Sequence, residues 1–585
     1  MTRTLARISI AGAVVLALAL AKGPTSLTTM LWGNTAGGSC KCFPGDSCWP
    51  SPAEWQSFNQ SLGGKLIATV PIGSVCHDSA FGPYDAAGCE ALRGAWLNPL
   101  THDKTTSSMQ STYFLNNSCS AFSEPSDQCI MGAHVPYAVN ATTTEDYRKT
   151  LRFVREKNIR LVIRNTGHDY FGRSTGPGAL ALWTHHNKDI DVVDYDSKWY
   201  RGKALKVGAG VQGFEAQAAA HAAGVVVVTG TCPSVGIAGG FTQGAGLSPS
   251  SSLFGMSADN ALEWEVVTTS GEYLVATPDK NSDLYWALSG GGGGTYAAVL
   301  SMTVRAHPDF PVTAANMTFM YGDNGVSKQD FYSAVAFFLN TLPAIVDTGA
   351  SVIWAIMGGN MFVISPVLAA KQSIEEVDAL LKPTKDKLSA LGIPFFAHLE
   401  SFPSYLDAAN AMIPDPGVSD ASMGGRLIPR SLVSSPESAA ELTEAIQFIV
   451  DGGHLLFGVT ADVSRFHKTA PPNAVLPVWR EAIFDAVYGF PTDMSSVEAN
   501  VLSQSRVAEI FEPRLEALTP GGGAYLNEAP LRLRNWKEAF FGKNYNRLAK
   551  IKKRYDPDGI LYGAATVGNE KWEVKDDGRL CRTGA

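Results

Sequence analysis

The chain has 585 residues, of which 45% are hydrophobic and 17% are charged. This composition is that of a globular protein with an ample core, and it excludes disorder as a description of the whole chain. The 47 basic residues do not outnumber the 55 acidic ones, so the net charge of −8 leaves no positive excess for binding nucleic acid.

The N-terminus has the pattern of a secretory signal peptide. Arg3 and Arg7 precede an apolar run at 8–21, which ends in Ala19-Leu20-Ala21. The run is too short to span a bilayer comfortably. We therefore predict that residues 1–21 are a signal peptide that is removed, and we expect a secreted protein without a stable membrane anchor. The alternative is a short membrane anchor.

Residues 22–125 are rich in Gly, Ser, Pro and Cys and predict an irregular, cysteine-rich segment. Seven of the nine cysteines lie between Cys40 and Cys129, and an eighth is Cys581. This clustering favours disulfides in an exported protein, although the connectivity stays open and an odd count leaves one cysteine over. Two pairs are near enough in sequence to form local disulfides: Cys76 with Cys89, and Cys119 with Cys129.

Four N-x-S/T sequons accompany the predicted signal peptide. Each motif alone is weak, but together with export they favour a glycosylated protein. The sequons predict N-glycans at Asn59, Asn116, Asn140 and Asn316.

Regular elements become recognisable after the cysteine-rich segment. Residues 145–158 have helical periodicity with Thr144 as a candidate N-cap, and 160–164 is a short β-rich run followed by a glycine-containing loop. Further strands are predicted at 205–211, 225–229 and 262–268. A second domain is predicted from residue 311, with strands at 353–357 and 361–364 and helices at 373–391 and 438–450. A helical tail is expected at 536–555.

Two glycine-containing loops each carry one nucleophilic side chain. His168 lies in the stretch Arg164–Ser174 (RNTGHDYFGRS), and Cys232 lies in Gly230–Gly240 (GTCPSVGIAGG). Glycine lets the backbone approach a ligand closely. The two side chains could form a catalytic pair or be covalent anchors for a cofactor. The alternative is an ordinary loop histidine and an ordinary cysteine.

These loops resemble those of the berberine-bridge-enzyme-like group of the vanillyl-alcohol-oxidase superfamily, and most of all its secreted fungal FAD-linked oxidoreductases. Gly290–Tyr296, Ser257–Asn260 and Asn544–Leu548 also resemble stretches of that family. The resemblance implies FAD, bound through His168 to the 8α-methyl and through Cys232 to carbon 6. The implied cofactor-binding residues are His168, Cys232, Arg164, Asn165, Thr166, Gly167, Asp169, Gly172, Ser174, Val235, Gly236, Gly239, Gly240, Asn260, Gly292, Gly293, Tyr545 and Asn546.

The resemblance also implies an α+β fold with two domains. Residues 126–310 are expected to form an FAD-binding domain, completed by a berberine-bridge-like segment at 501–575. Residues 311–500 are expected to form a substrate domain over an antiparallel sheet, which covers the isoalloxazine.

The catalytic base is predicted from the stretch Gly521–Glu528 (GGGAYLNE), which resembles a family motif whose Tyr lies over the flavin. We expect Tyr525 to accept the proton of the substrate hydroxyl, with Asn527 nearby. The alternative is a strand tyrosine that packs in a sheet, and Tyr170 is expected to support its loop.

Other polar clusters favour structural roles. Cys40-Lys41-Cys42 with Cys48, and the pair His185-His186, lack the spacing of a metal site, and no metal is expected. Arg426 is expected in an ion pair rather than at a substrate. The basic stretch 543–554 is expected to be a solvated helix face.

The predicted function is a secreted FAD-dependent oxidase. It would transfer hydride from an alcohol or secondary-metabolite intermediate to covalently bound flavin, with O2 as the final acceptor giving H2O2, in natural-product biosynthesis. Two alternatives stay open: an extracellular carbohydrate oxidase, and a non-catalytic secreted glycoprotein that retains the fold.

Overall fold

The computed structural model describes residues 40–322, 325–414, 417, 421–494 and 496–584. The predicted signal peptide, residues 1–21, and the beginning of the cysteine-rich segment lie outside these ranges. Within them, no helix has both the length and the apolar character that crossing a membrane requires.

Four disulfides hold the cysteine-rich segment. Both predicted local pairs are confirmed, and two further disulfides complete the set: Cys76–Cys89, Cys119–Cys129, Cys42–Cys48 and Cys40–Cys581. The last one joins this segment to the C-terminal part of the chain. A metal site at Cys40, Cys42 and Cys48 is excluded because their sulfurs are consumed in disulfides. The helices here are α1 (Pro52–Ser61), α2 (Ala86–Gly94) and α3 (Pro99–Asp103).

The first sheet has four strands in the order β1-β2-β4-β3, and β2 and β3 run parallel to β4. The strands are β1 (Leu66–Ala68), β2 (Tyr137–Asn140), β3 (Arg160–Arg164) and β4 (Ala179–Trp183). Helix α4 (Thr144–Glu156) packs Tyr147 and Leu151 on this sheet. Its N-cap is Thr143, one residue before the predicted one, because the Thr143 hydroxyl accepts from the backbone N–H of Asp146.

The second sheet is antiparallel and has five strands in the order β5-β6-β10-β8-β9. Its strands are β5 (Ile190–Asp196), β6 (Arg201–Gly208), β8 (Ala261–Val267), β9 (Tyr273–Ala276) and β10 (Ala298–Arg305), and the short β7 (Val225–Val226) pairs with β11 (His307–Pro308). The strand predicted at 225–229 shrinks to β7 because the chain then enters the loop around Cys232. The helices are α5 (Gly213–Ala222), α6 (Ser251–Phe254), α7 (Ser257–Asn260) and α8 (Ser282–Leu288).

The third sheet is antiparallel and has seven strands in the order β15-β12-β14-β13-β17-β18-β16. The strands are β12 (Val312–Met320), β13 (Ser351–Met357), β14 (Met361–Ala370), β15 (Phe395–Phe402), β16 (Ala421–Pro429), β17 (Leu455–Thr460) and β18 (Ala482–Pro491). The helices of this region are α9 (Lys328–Val346), α10 (Ile374–Ala390), α11 (Tyr405–Met412), α12 (Pro436–Asp451), α13 (Val497–Arg506) and α14 (Glu512–Leu518). The predicted α+β class with a central antiparallel sheet is confirmed.

Alternation along β13 separates the two faces of this sheet. Val352, Trp354 and Ile356 are buried in the core with helices α9, α10 and α12. Ile353 points to the opposite face, which is turned toward the cavity described below.

The C-terminal segment returns to the first two sheets. It contains α15 (Trp536–Phe541), α16 (Tyr545–Tyr555), β19 (Trp572–Val574) and β20 (Leu580–Arg582). The continuous helix predicted at 536–555 is interrupted at Gly542, whose φ of +49° ends α15.

The prediction of a solvated basic helix face at 543–554 is wrong for one residue. Lys552 is only 8% exposed, and its ammonium group lies 2.6 Å from Asp556 Oδ2 and donates to the carbonyl oxygens of Thr295 and Leu561. Since Thr295 follows a glycine-rich loop, this contact fixes the C-terminal segment against that loop.

Replacement of Lys552 tests this contact. Lys552→Met leaves the Asp556 carboxylate buried without its cation, and we expect the free energy of unfolding to fall by about 3–5 kcal/mol in urea denaturation. The exposed neighbour on the same helix provides the control, because Lys553→Met should change it by no more than about 0.5 kcal/mol. Equal stability of the two variants would contradict a structural role for Lys552.

Candidate active site

A cavity of about 360 Å³ lies between the seven-stranded sheet and the loops of the first two sheets. Its volume falls in the range of small-molecule sites. Four loops form most of its wall: residues 165–170 after β3, 230–243 after β7, 293–294 after α8 and 525–528 before α15. The seven-stranded sheet contributes four apolar side chains: Ile353, Met423, Phe457 and Val459.

Most residues predicted from the sequence line this cavity. The structure brings together Asn165, Thr166, Gly167, His168, Asp169, Ser174, Cys232, Val235, Gly236, Gly239, Gly240, Gly293, Tyr525 and Asn527. The other six lie outside the wall: Arg164, Gly172, Asn260, Gly292, Tyr545 and Asn546.

Arg164, predicted at the cofactor, supports the loop from behind and does not line the cavity. Its side chain is fully buried, and its guanidinium donates to the backbone carbonyls of His102, Thr105 and Ser108. It therefore fastens the cysteine-rich segment beneath the His168 loop.

The other five predicted residues outside the wall also lie away from the cavity. The amide of Asn260 donates to the carbonyls of Phe254 and Met256, and the hydroxyl of Tyr545 donates to Glu570. Asn546 is exposed on α16. The two glycines serve turns rather than the wall, since Gly172 has a φ of +67° and Gly292 a φ of +104°.

His168 and Cys232 meet at one side of the cavity. The Cys232 Sγ lies 4.0 Å from the His168 Nε2, and the Ser234 hydroxyl lies 2.8 Å from that nitrogen and 3.3 Å from that sulfur. Burial, together with the positive charges of nearby groups, lowers the pKa of His168 to about 3. The imidazole is therefore neutral at pH 7 and keeps a nitrogen lone pair.

A tight turn at Gly167 fixes the conformation of the His168 loop. Gly167 has a φ of +86°, and a Cβ there would lie 2.8 Å from the Ser108 carbonyl oxygen. The Asn165 amide donates to the carbonyl of Ala209. Any larger residue at Gly167 would push the histidine loop away from the cysteine-rich segment.

The wall fits a large cofactor that approaches the backbone closely. A Cβ at Gly239 or Gly294 would meet no protein atom within 4 Å, although both residues line the cavity. The Arg173 Nη2 and the Gln243 Oε1 are buried at this wall and have no hydrogen-bond partner among the described residues. An unsatisfied cationic donor beside open glycine backbone suits the diphosphate of a dinucleotide.

Tyr525, Asn527 and Glu528 also line the cavity. The Asn527 amide donates to the Tyr525 hydroxyl at 2.9 Å and to the carbonyl of Gly240 at 3.0 Å. Burial and the nearby Glu528 raise the pKa of Tyr525 far above its ordinary value, so the phenol is protonated at neutral pH. Burial also raises the pKa of the Glu528 carboxyl to about 7.

A second carboxyl, Asp485, lies on the same side of the seven-stranded sheet. It is paired across the strands with Val459, which itself pairs with Ile353, and both of these line the cavity. Its two oxygens have no hydrogen-bond partner within the described part of the chain. Burial, followed by the charges of Glu528 and Glu512, raises the pKa of Asp485 well above its usual range.

Arg426 belongs to the protein core and does not line the cavity. Its guanidinium lies 3.8 Å from Glu512 and donates to Thr519, so the expected ion pair is confirmed. His185 and His186 contact the side-chain oxygens of Asn165 and Asn140, at 3.3 and 3.0 Å.

Comparison with known proteins supports the interpretation of this cavity as an FAD site. A model described as "FAD binding domain" matches residues 135–277, and one described as "Berberine and berberine like" matches residues 524–564. The chain is 43% identical over 574 residues to the FAD-linked oxidoreductase sor8 of Hypocrea jecorina, covering 98% of each chain. It is 39% identical over 556 residues to the bifunctional decalin synthase calF of Penicillium decumbens, covering 93% of this chain and 96% of that one.

A solved structure shares the whole architecture. The crystal structure of the VAO-type flavoprotein MtVAO615 from Myceliophthora thermophila C1 matches with a TM-score of 0.89 at 42% identity, covering 93% of this chain and 100% of that chain. The fold and the glycine-lined cavity thus define a flavoprotein that binds FAD. The chain belongs to the FAD-linked oxidoreductases of the vanillyl-alcohol-oxidase type, with a berberine-bridge-like C-terminal segment. It is an oxidoreductase, which excludes the non-catalytic alternative.

The sequence did not single out several residues of the wall. Glu528 ends the predicted Tyr525 stretch, and a carboxyl three residues after a candidate base was a usable signal. Asp485 had no such signal, since only the pairing of β18 brings it to the cavity side. Tyr170, expected to support its loop, lines the cavity.

A side chain added to the glycine wall tests the cofactor site. A Cβ at Gly240 would meet only Asn527, at 4.0 Å, so Gly240→Leu places its side chain in the cavity. We expect FAD content, measured by absorbance of purified protein, to fall roughly tenfold or more because the two volumes overlap.

Gly94 provides the matched control, because it ends α2 at the surface and a Cβ there would meet nothing within 4 Å. Gly94→Leu should keep normal FAD content. Full FAD content in folded Gly240→Leu would place the cofactor elsewhere.

Proposed function

We propose that this protein is a secreted FAD-dependent oxidase that oxidises an alcohol or a secondary-metabolite intermediate and reduces O2 to H2O2. The proposal rests on one observation: a single cavity is lined by a neutral histidine, a cysteine, a tyrosine and a carboxyl of raised pKa. Bound FAD supplies the hydride acceptor. The protein binds the substrate, orients its hydroxyl and takes up its proton.

FAD is proposed to be attached twice, to His168 and to Cys232. The 4.0 Å separation of the His168 Nε2 and the Cys232 Sγ supports this, because both side chains can then reach one benzenoid ring. The disulfides engage the other eight cysteines, so Cys232 is the one that the cysteine-rich scaffold does not require.

Acid precipitation tests the double attachment. Denatured wild-type protein should stay yellow and carry a mass increment equal to one FAD. Cys232→Ala and His168→Ala should each keep FAD through the other residue, so that only the double variant releases all flavin. Release of flavin from the precipitated wild type would contradict covalent attachment at either residue.

Proton transfer is proposed to involve Tyr525 and Glu528 together. Tyr525, held by Asn527, hydrogen-bonds the substrate hydroxyl and orients it. The Glu528 carboxylate receives the proton, because its pKa of about 7 matches the working pH of a general base. The substrate thereby loses a proton to the protein and a hydride to FAD. Asp485 stays protonated beside Glu528, so the two carboxyls hold one negative charge between them.

The pH profile of kcat/KM tests these roles. Glu528 acts when deprotonated, so activity should rise with pH through about 7. Glu528→Gln should remove this inflection and lower kcat at least about 100-fold, and Tyr525→Phe should lower kcat by at least about tenfold with the inflection retained.

Glu538 is an exposed carboxylate on α15, and Glu538→Gln should leave both the rate and the profile unchanged. FAD content is measured for every variant, so that loss of cofactor is not mistaken for loss of the base. An inflection near pH 7 that persists in Glu528→Gln would assign the proton to another group.

An apolar substrate of natural-product type is favoured over a sugar. The sheet side of the cavity presents Ile353, Met423, Phe457 and Val459, which offer no hydrogen bonds to sugar hydroxyls. The relative calF is described as a bifunctional decalin synthase, and this description also favours a substrate of natural-product type. An extracellular carbohydrate oxidase remains the second candidate, for which the polar groups Gln243, Asn527 and Glu528 would supply the contacts.

The domain organisation predicted from the sequence is part of this proposal. Residues 126–310 and 501–575 form the FAD-binding part, and residues 311–500 form the substrate part. For an exported protein we propose N-glycosylation at Asn116, the exposed sequon. The other three sequon asparagines, Asn59, Asn140 and Asn316, are half-buried.

A further inference from the structure

One hydroxyl contacts both proposed attachment residues. Ser234 is 6% exposed, and its Oγ lies 2.8 Å from the His168 Nε2 and 3.3 Å from the Cys232 Sγ. Neither the sequence motifs nor the proposed reaction assigns this serine a task. The three side chains form a short hydrogen-bonded chain at the wall of the cavity.

The position of this hydroxyl is fixed by the loop that carries it. The Gln212 amide donates to the Ser234 carbonyl at 2.7 Å, and the first N–H groups of α5, from Gly213 and Phe214, donate to the carbonyls of Val235 and Pro233. The loop is thus fastened to the start of a helix on both sides of Ser234. Such support is what a precisely placed reacting pair requires.

The direction in which hydrogen bonds are donated along these three side chains decides where His168 and Cys232 carry their protons. A serine hydroxyl has one proton, so it can donate to only one of them at a time. If it donates to the Cys232 sulfur, it accepts from the His168 Nε2–H, and the Nδ1 of the neutral ring keeps its lone pair. In the opposite direction the thiol keeps its proton, the hydroxyl donates to Nε2, and the ring proton lies on Nδ1. Both nucleophiles are then blocked.

We propose that Ser234 is the positioning residue for FAD attachment, because it donates to the Cys232 thiolate while it accepts the Nε2–H of His168. One hydrogen-bonded chain then prepares two nucleophiles, the Nδ1 of the imidazole and the sulfur, for the same ring. The inference rests on the double attachment proposed above and adds the group that makes both bonds form.

Both attachments have the same balance of bonds, protons and electrons. The new bond from Nδ1 to the 8α-carbon, or from Sγ to carbon 6, replaces one C–H bond. That hydrogen and the proton first held by the imidazole or the thiol leave as two protons and two electrons. O2, the oxidant of the proposed function, takes them up as H2O2, so no further reactant is needed.

Two replacements that are isosteric with each other test the hydroxyl. Ser234→Thr keeps the hydroxyl and adds a methyl group, and Ser234→Val has a second methyl group where Thr has the hydroxyl. Each purified protein is acid-precipitated at intervals during aerobic incubation at pH 7 and at pH 9, and bound and released flavin are measured separately.

Ser234→Thr should attach FAD as the wild type does. Ser234→Val should bind FAD but attach it at least tenfold more slowly at pH 7. Attachment should recover at pH 9, because the more abundant solvent hydroxide then removes the thiol proton without the help of the hydroxyl. A merely structural serine would give no such pH-dependent recovery.

Three outcomes are distinguishable. Wild-type rates in Ser234→Val at pH 7, or slow attachment that pH 9 does not relieve, would overturn the role of Ser234 while leaving double attachment intact. Absence of acid-stable flavin in the wild type would overturn the double attachment itself. If Ser234→Val does not fold, slow attachment in the folded Ser234→Ala with recovery at pH 9 supports the role, and wild-type rates there overturn it.

Discussion

Two loops that are 64 residues apart in the chain meet at His168 and Cys232, and the rest of the site depends on that meeting. A ring held at two points tolerates little error in the distance between its anchors. The structure supplies the needed rigidity by backbone contact, since a Cβ at Gly236 would lie only 2.0 Å from the Asn165 amide nitrogen. Arg164 extends the same support to the cysteine-rich segment, which therefore belongs to the site although it lies outside the wall.

The proposed role of Glu528 depends on exclusion of water. Glu528 reaches a pKa of about 7 because burial destabilises its charge. The apolar side chains of the seven-stranded sheet line the same cavity as Glu528. In the proposed function, the same wall therefore contacts the substrate and the base.

Local chemistry explains which features the sequence could predict. The glycine loops, His168, Cys232 and the Tyr525 stretch are each specified by a few adjacent residues, and all of them line one cavity. Periodicity also placed α4, β3, α10 and α12 within about two residues of their observed ends.

Long-range contacts explain what the sequence could not predict. Asp485 reaches the cavity side only through the pairing of β18 with β17, and Arg164 turns away because carbonyls of a distant segment accept its hydrogen bonds. Lys552 looked like a surface residue of a basic helix, but Asp556 and two carbonyls draw it inside. Apart from Asp556, which follows Lys552 by four residues, none of these partners is visible in a local motif.

The central claim is that one FAD joins the two loops, and peptide mapping after trypsin digestion tests it most directly. Cleavage after lysine and arginine places His168 in peptide 165–173 and Cys232 in peptide 207–280. The account predicts a single fluorescent species whose mass is the sum of both peptides and the flavin, less the four hydrogens that the two attachments remove. Two separate peptides with no flavin on either would contradict it.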